Sequence, residues 1–118
     1  MSALWSCASF AADIDPVVVS PDMYTVLLEN DHVRVVRYVI QPGERDNWHT
    51  HPPKVSYVAS GGKLRITIDG GESFEVTEET GHTSWMSALG RHFAENIGDT
   101  PVSVILVEVK SVGVRAGL

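Results

Sequence analysis

Apolar and polar side chains alternate with a period of two from residue 17 onward, and turn-forming residues interrupt the alternation at short intervals. No window sustains the i, i+3, i+4, i+7 spacing of an amphipathic helix over three turns. The pattern predicts an all-β chain of about eight to ten strands, which is typical of a sandwich or a small barrel.

Glycine-containing turns such as Gly61-Gly62 and Asp69-Gly70-Gly71 separate the clearest strand patterns. A short strand edge is expected at 48–51, and residues 20–29 are expected to open as one helical turn. The longer strands are expected at 33–40, 55–60, 63–68, 73–77, 83–86, 92–97 and 102–110.

The length and the charge of the chain limit the kinds of protein that it can be. The 118 residues suffice for one domain with one core, and the net charge is −6. The nine basic residues are scattered, which argues against a nucleic-acid-binding surface. No run approaches the roughly 18 apolar residues of a membrane span. We therefore expect a soluble protein without a nucleic-acid or membrane partner.

The first residues differ in character from the rest. The segment 1–12 is apolar, uncharged and rich in small residues, and Ser9 and Ala11 resemble the small residues before a signal-peptide cleavage point. We divide the chain into 1–16, an N-terminal arm or signal-peptide remnant, and the main domain, 17–118. A cytoplasmic protein is expected, with a periplasmic or secreted one as the alternative if the segment is a signal remnant.

Three histidines form the strongest chemical signal. His49 and His51 are two residues apart in a predicted strand, so both imidazoles project from one face with Cα atoms about 6–7 Å apart. His92 lies in a later predicted strand that can face them. Cys7 is the only cysteine, so any metal must be held by histidines, carboxylates or carbonyls.

The spacing of these residues resembles the two cupin motifs. Gly43, five residues and then His49 and His51 resemble the first motif, and the segment from Gly81 to Asn96 resembles the second. The resemblance implies a single-domain, RmlC-like jelly roll, that is, a cupin double-stranded β-helix. It also implies that His49, His51 and His92 hold one divalent metal ion per chain, with Asn96 at a structural turn.

The chain departs from the family pattern in one important respect. The family's glutamate ligand should lie at Val55 or Ser56, and no Asp, Glu or Gln occurs between Pro52 and Ile68. Three neutral imidazoles would leave the site with a charge near +2, which favours anionic or chelating ligands. Glu108, if it faces inward, is the best candidate for an alternative ligand or for a partner of a ligand. Ligand softness does not distinguish Fe, Zn, Ni, Cu and Mn.

Residues close to the two motifs are assigned to a substrate pocket. We expect Trp48, Tyr57, Trp85 and Met86 to form an apolar wall of a substrate pocket, and Tyr57 to be a candidate proton donor. Strand arginines such as Arg34 are expected to meet solvent, although one turned inward would supply a cation for an anionic substrate.

Two functional interpretations remain open. In the first, which we favour, the protein is a metal-dependent enzyme of the dioxygenase or lyase type that acts on a small anionic or carbonyl substrate. In the second, the same site belongs to a non-catalytic module that binds or senses a metal or small ligand. A homodimer is expected in either case, because a jelly roll of this size leaves edge strands exposed.

Overall fold

The computed structural model describes residues 14–87 and 89–110. Within that part of the chain, a single helical turn precedes eight strands. The elements are α1 (Pro16–Val19), β1 (Tyr24–Glu29), β2 (Val33–Ile40), β3 (Lys54–Ser60), β4 (Gly62–Ile68), β5 (Ser73–Glu78), β6 (Thr83–Met86), β7 (His92–Asn96) and β8 (Val102–Val109). No helix among these residues is long and apolar enough to cross a membrane.

The strands form two antiparallel sheets. One has the order β1-β2-β8-β3-β6 and the other the order β5-β4-β7. The alternation along β8 explains the core: Val102, Val104 and Leu106 are buried, and the residues between them are only partly buried. They pack with Val36 and Ile40 of β2, so the centre of the larger sheet carries the core.

The strand pattern predicted from the sequence is confirmed, with two exceptions. Residues 24–29 form β1, which pairs with β2, whereas a helical turn was expected within 20–29. The helical turn lies earlier, at Pro16–Val19, because Asp15 caps it through a hydrogen bond from the Val17 N–H to Oδ1 (3.0 Å). Residues 48–51 form no regular strand: His49 makes an isolated bridge to β7.

The residues just before α1 are attached to the larger sheet. Arg34 of β2 donates two hydrogen bonds to the Asp15 carboxylate, at 3.0 and 2.9 Å. The Thr50 N–H donates to the carbonyl of Ile14 (3.0 Å). Because α1 spans Pro16–Val19, the boundary expected between residues 16 and 17 lies inside this helix. The expectations for the segment 1–12, including Cys7, lie outside the described residues.

Asn96 closes the turn after β7. Its side-chain amide donates to the carbonyls of Ile40 and Thr100, both at 2.9 Å, and its Oδ1 accepts from the Gly98 N–H at 3.0 Å. The residue is 3% exposed, so water cannot replace these bonds. Asn96 thus joins the end of β2 to the turn that leads into β8.

We predict that Asn96→Ala lowers the free energy of unfolding by about 2–3 kcal/mol, because it leaves buried carbonyls of the turn without donors. Asn30→Ala is the matched control. Asn30 also accepts two backbone N–H bonds in a turn, but the site is exposed, so we expect a loss below about 1 kcal/mol. Urea unfolding of both variants measures the difference. Equal losses would contradict the role assigned to Asn96.

Candidate metal centre

Backbone pairing places two of the three histidines opposite each other. The His49 N–H donates to the His92 carbonyl and the His92 N–H donates to the His49 carbonyl, each at 2.9 Å. Directly opposed residues of an antiparallel pair present their side chains on the same face. His51 follows His49 by two residues, so the three imidazoles come together.

The imidazoles form a compact, buried cluster. Ring centroids are 4.4 Å apart for His49 and His92, 4.8 Å for His49 and His51, and 5.6 Å for His51 and His92. One ring nitrogen from each residue lies within 4.8 Å of the others. A divalent ion with metal–nitrogen bonds of about 2.0–2.1 Å can join such a set after small ring rotations.

Hydrogen bonds fix the tautomer of all three rings. Nδ1 of His49 lies 2.6 Å from the carbonyl of Asn47, and Nδ1 of His92 lies 2.7 Å from the carbonyl of Gly90. Nδ1 of His51 lies 3.2 Å from Oε2 of Glu108. Carbonyls and carboxylates accept hydrogen bonds, so each Nδ1 carries the proton and each Nε2 keeps a lone pair. This is the donor set that a divalent ion such as Zn²⁺ or Fe²⁺ needs.

Burial keeps the rings of His51 and His92 neutral. It lowers the pKa of both His51 and His92 to about 4, although the Glu108 carboxylate and the Gly90 carbonyl oppose the shift. At neutral pH these imidazoles can therefore bind a metal without first losing a proton.

Glu108 faces inward and forms a hydrogen bond with His51. It is 2% exposed, and its Oε1 accepts from Nε of Arg34 at 2.8 Å while Oε2 faces His51. Burial raises the pKa of Glu108, but hydrogen bonds from His51 and Arg34 and the charge of Arg34 outweigh it, and the pKa lies below its ordinary value. Of the two roles considered for Glu108, this geometry favours the partner of a ligand. Arg34, expected in solvent, is turned inward and paired.

The sequence analysis missed a second buried carboxylate. Asp46 is 1% exposed; its Oδ2 accepts from the hydroxyls of Tyr24 (2.9 Å) and Tyr38 (3.0 Å), and its Oδ1 accepts from the Ala94 N–H (2.8 Å). The hydroxyl of Tyr24 also lies 3.4 Å from Nε2 of His49. Burial first, and then neighbouring charge and hydrogen bonding, raise the pKa of both tyrosines well above the ordinary value. Asp46 lies in an irregular segment, where no periodicity could indicate that it faces inward.

The cluster opens into a cavity of about 280 Å³ between the two sheets. Lys54 and Ser56 of β3 and Met86 of β6 line it together with the three histidines. The remaining wall is mixed. Its apolar part is formed by Ile66, Phe74, Val76, Leu89, Ala94, Val104 and Leu106, and its polar part by Tyr24, Tyr38, Asp46, Thr77, Glu78, His82 and Ser84. Of the four expected pocket residues, Met86 alone lines this cavity.

The other three expected pocket residues lie elsewhere, for reasons of strand parity. Tyr57 and Trp85 are 47% and 55% exposed, on the outer face of the larger sheet. Their inward-facing neighbours are Ser56 and Met86, so the structure does not bring Tyr57, the expected proton donor, to the histidine cluster. Trp48 packs edge-on against Phe93, with ring centroids 4.7 Å apart, away from the cavity.

The same parity distinguishes the two positions considered for the missing glutamate. Ser56 lines the cavity, whereas Val55 faces outward opposite Trp85. Ser56 is thus the position from which a carboxylate could reach the histidines.

Comparisons with known proteins identify the fold. No protein-family profile matches the sequence, and no curated protein matches it. Solved structures do: a cupin domain from Bordetella pertussis has a TM-score of 0.69 and 24% identity, covering 75% of this chain and 93% of that one. A double-stranded β-helix protein from Klebsiella pneumoniae has a TM-score of 0.58 and 25% identity, covering 77% and 79%. An RmlC-like cupin from Methanocaldococcus jannaschii has a TM-score of 0.59 and 17% identity, covering 73% and 77%.

The matching structures are cupin or double-stranded β-helix proteins, and in this chain the histidine cluster lies between the two sheets. The chain has the cupin double-stranded β-helix fold.

Proposed function

We propose that this protein binds one divalent metal ion through Nε2 of His49, His51 and His92 and is a metalloenzyme acting on a small anionic or carbonyl compound. The observation that carries the proposal is the hydrogen bonding of all three Nδ1 atoms to acceptors, which directs three Nε2 lone pairs to one place. When bound, the ion would supply a Lewis acid or a site for dioxygen activation, as in an oxygenase or a lyase.

The charges around the cluster favour an anionic ligand. The three imidazoles are neutral donors, and Glu108 is already paired with Arg34 and His51. A bound divalent ion and the side chain of Lys54 would together carry more positive charge than Asp46 and Glu78, the two carboxyl groups that line the cavity. A ligand with one negative charge would therefore find net positive potential at the site.

The direct test is elemental analysis of untagged protein purified without chelator. We predict about one divalent ion per chain in the wild type and loss of most of it in His92→Ala, because two imidazoles bind a metal far more weakly than three. His32→Ala is the control, since His32 is exposed in the turn before β2. Full occupancy in His92→Ala would refute the proposed site.

A second prediction uses the parity of β3. Ser56→Glu should place a carboxylate in the cavity and weaken the binding of acetate to the metal-loaded protein by about ten- to hundredfold, because it adds a negative charge near the ion. Val55→Glu adds the same charge on the outer face and should leave acetate affinity nearly unchanged. Competition titrations on both variants measure this. An equal effect of the two glutamates would contradict the predicted open site.

We also propose that the protein is a homodimer that pairs through the outer face of the larger sheet. Trp85, Tyr57 and Val109 expose 55%, 47% and 36% of their surface, and directly opposed cross-strand pairs join Trp85 to Val55 and Val55 to Val107 on this face. Such an apolar patch is typical of an association surface.

Light scattering at micromolar concentration should therefore give about twice the chain mass of 12.9 kDa. Trp85→Glu should shift the protein toward monomer by placing a charge in the interface. Val18→Glu, at an exposed apolar residue of α1, is the control. A wild-type protein of chain mass would refute the homodimer.

A further inference from the structure

Lys54 is a buried cation next to the histidine cluster. It begins β3 and faces inward, 8% of its surface is exposed, and it lines the same cavity as His49, His51 and His92. Lysine is almost never this buried without a partner, because transfer of an ammonium group from water to the interior is costly.

No carboxylate in the described part of the chain forms an ion pair with Lys54. Its cross-strand neighbour is Glu108, but both oxygens of that carboxylate are engaged, by Arg34 at 2.8 Å and by His51 at 3.2 Å. The hydrogen-bond contact of Nζ is the sulfur of Met86, at 3.8 Å. A thioether is a weak acceptor, so the ammonium group keeps most of its capacity to donate hydrogen bonds.

The other ionisable groups that line the cavity form no hydrogen bond or ion pair with Lys54 among the described residues. Asp46 is held by two tyrosine hydroxyls and the Ala94 N–H. Glu78 of β5 and His82 are the remaining ones, and neither forms an ion pair with Lys54 in the described residues. Burial lowers the pKa of Lys54 and raises that of Glu78, and the opposite charge of the other residue only partly offsets the effect of burial in each case.

We propose that Lys54 binds the carboxylate of a small carboxylic acid whose other polar group enters the coordination sphere of the metal. This inference rests on the proposed function and adds a second recognition point to it. The cavity of about 280 Å³ is near the lower end of small-molecule pockets, and the apolar part of its wall suits a short hydrocarbon body between two polar ends. The expected ligand class is therefore a short acid with a carbonyl, hydroxyl or similar donor at a distance from its carboxylate.

Paired hydroxamate probes separate the two recognition points. Acetohydroxamate carries a metal-binding group alone, and the monohydroxamates of malonate, succinate and glutarate carry the same group with a carboxylate on spacers of increasing length. Affinities would be measured on the full-length Co²⁺-loaded protein by visible absorption. The ratio of the two affinities reports the carboxylate contact, because the metal contact is common to both probes.

We expect the best-fitting carboxylate probe to bind wild type about ten- to hundredfold more tightly than acetohydroxamate. Lys54→Met should abolish this preference. Any loss of affinity that follows from the lower positive charge of the cavity affects acetohydroxamate as well, so the ratio of the two affinities remains the readout. Lys63→Met is the matched control, since it removes one positive charge at an exposed position and should keep the preference. A preference that persists in Lys54→Met would overturn the proposal.

Thermal unfolding of Lys54→Met tests whether Lys54 has a purely structural role. Met fills nearly the same volume without a charge, so removal of an unpaired ammonium group should leave the melting temperature equal or higher. A substantial fall in the melting temperature would indicate that Lys54 is retained for its interactions within the fold, and would overturn the proposal.

The metal-free protein distinguishes failure of this inference from failure of the proposed function. If acetohydroxamate does not bind the Co²⁺-loaded wild type, the metal proposal fails. Propionate titrated into metal-free protein should still shift NMR signals of cavity residues in wild type and not in Lys54→Met. Absence of Lys54-dependent propionate binding together with absence of carboxylate preference would overturn the role of Lys54 alone.

Discussion

The ion pair between Glu108 and Arg34 is the interaction on which the site depends. Glu108 ends the inward-facing row of β8, where the preceding members are apolar, so a carboxylate there must be paired to remain charged. Arg34 pairs with it from β2 and also binds Asp15, the cap of α1. The second oxygen of Glu108 is then free to hold Nδ1 of His51. One buried charge thus connects the N-terminal turn, the two central strands and a candidate metal ligand.

Polar groups inside this fold fall into two sets. Asp46 and Glu108 each accept two or more hydrogen bonds from other elements of the fold, and Asn96 donates one to the distant Ile40 carbonyl and one to the Thr100 carbonyl in its own turn. The three histidines and Lys54 line the cavity, and among the described residues their Nε2 atoms and Nζ have little or no protein partner. Buried groups without partners carry a free-energy cost, and a bound ion and a bound anion would remove it. The hydrogen-bonding pattern that stabilises the domain therefore also marks the proposed binding site.

The sequence predicted what depends on periodicity and motif spacing. Alternation located strands 33–40 and 83–86 with the bounds seen in the structure, and histidine spacing grouped His49, His51 and His92. Prediction from the sequence failed for side chains whose position depends on the register between distant strands. Lys54 was not recognised because only its pairing with Glu108 and Met86 shows that it faces the cavity. Tyr57 was expected in the pocket because the alternation along β3 does not by itself show which of the two faces of the strand lies inward.

The central claim is that three Nε2 atoms bind the metal while Glu108 accepts a hydrogen bond from Nδ1 of His51. A crystal structure of the metal-loaded protein, with anomalous data collected at the absorption edge of the metal, tests it most directly. The account predicts one anomalous peak per chain, about 2.0–2.2 Å from Nε2 of His49, His51 and His92, with Glu108 still bound to Nδ1 of His51. A metal coordinated by the carboxylate of Glu108 or Asp46, or by an Nδ1 atom, would contradict it.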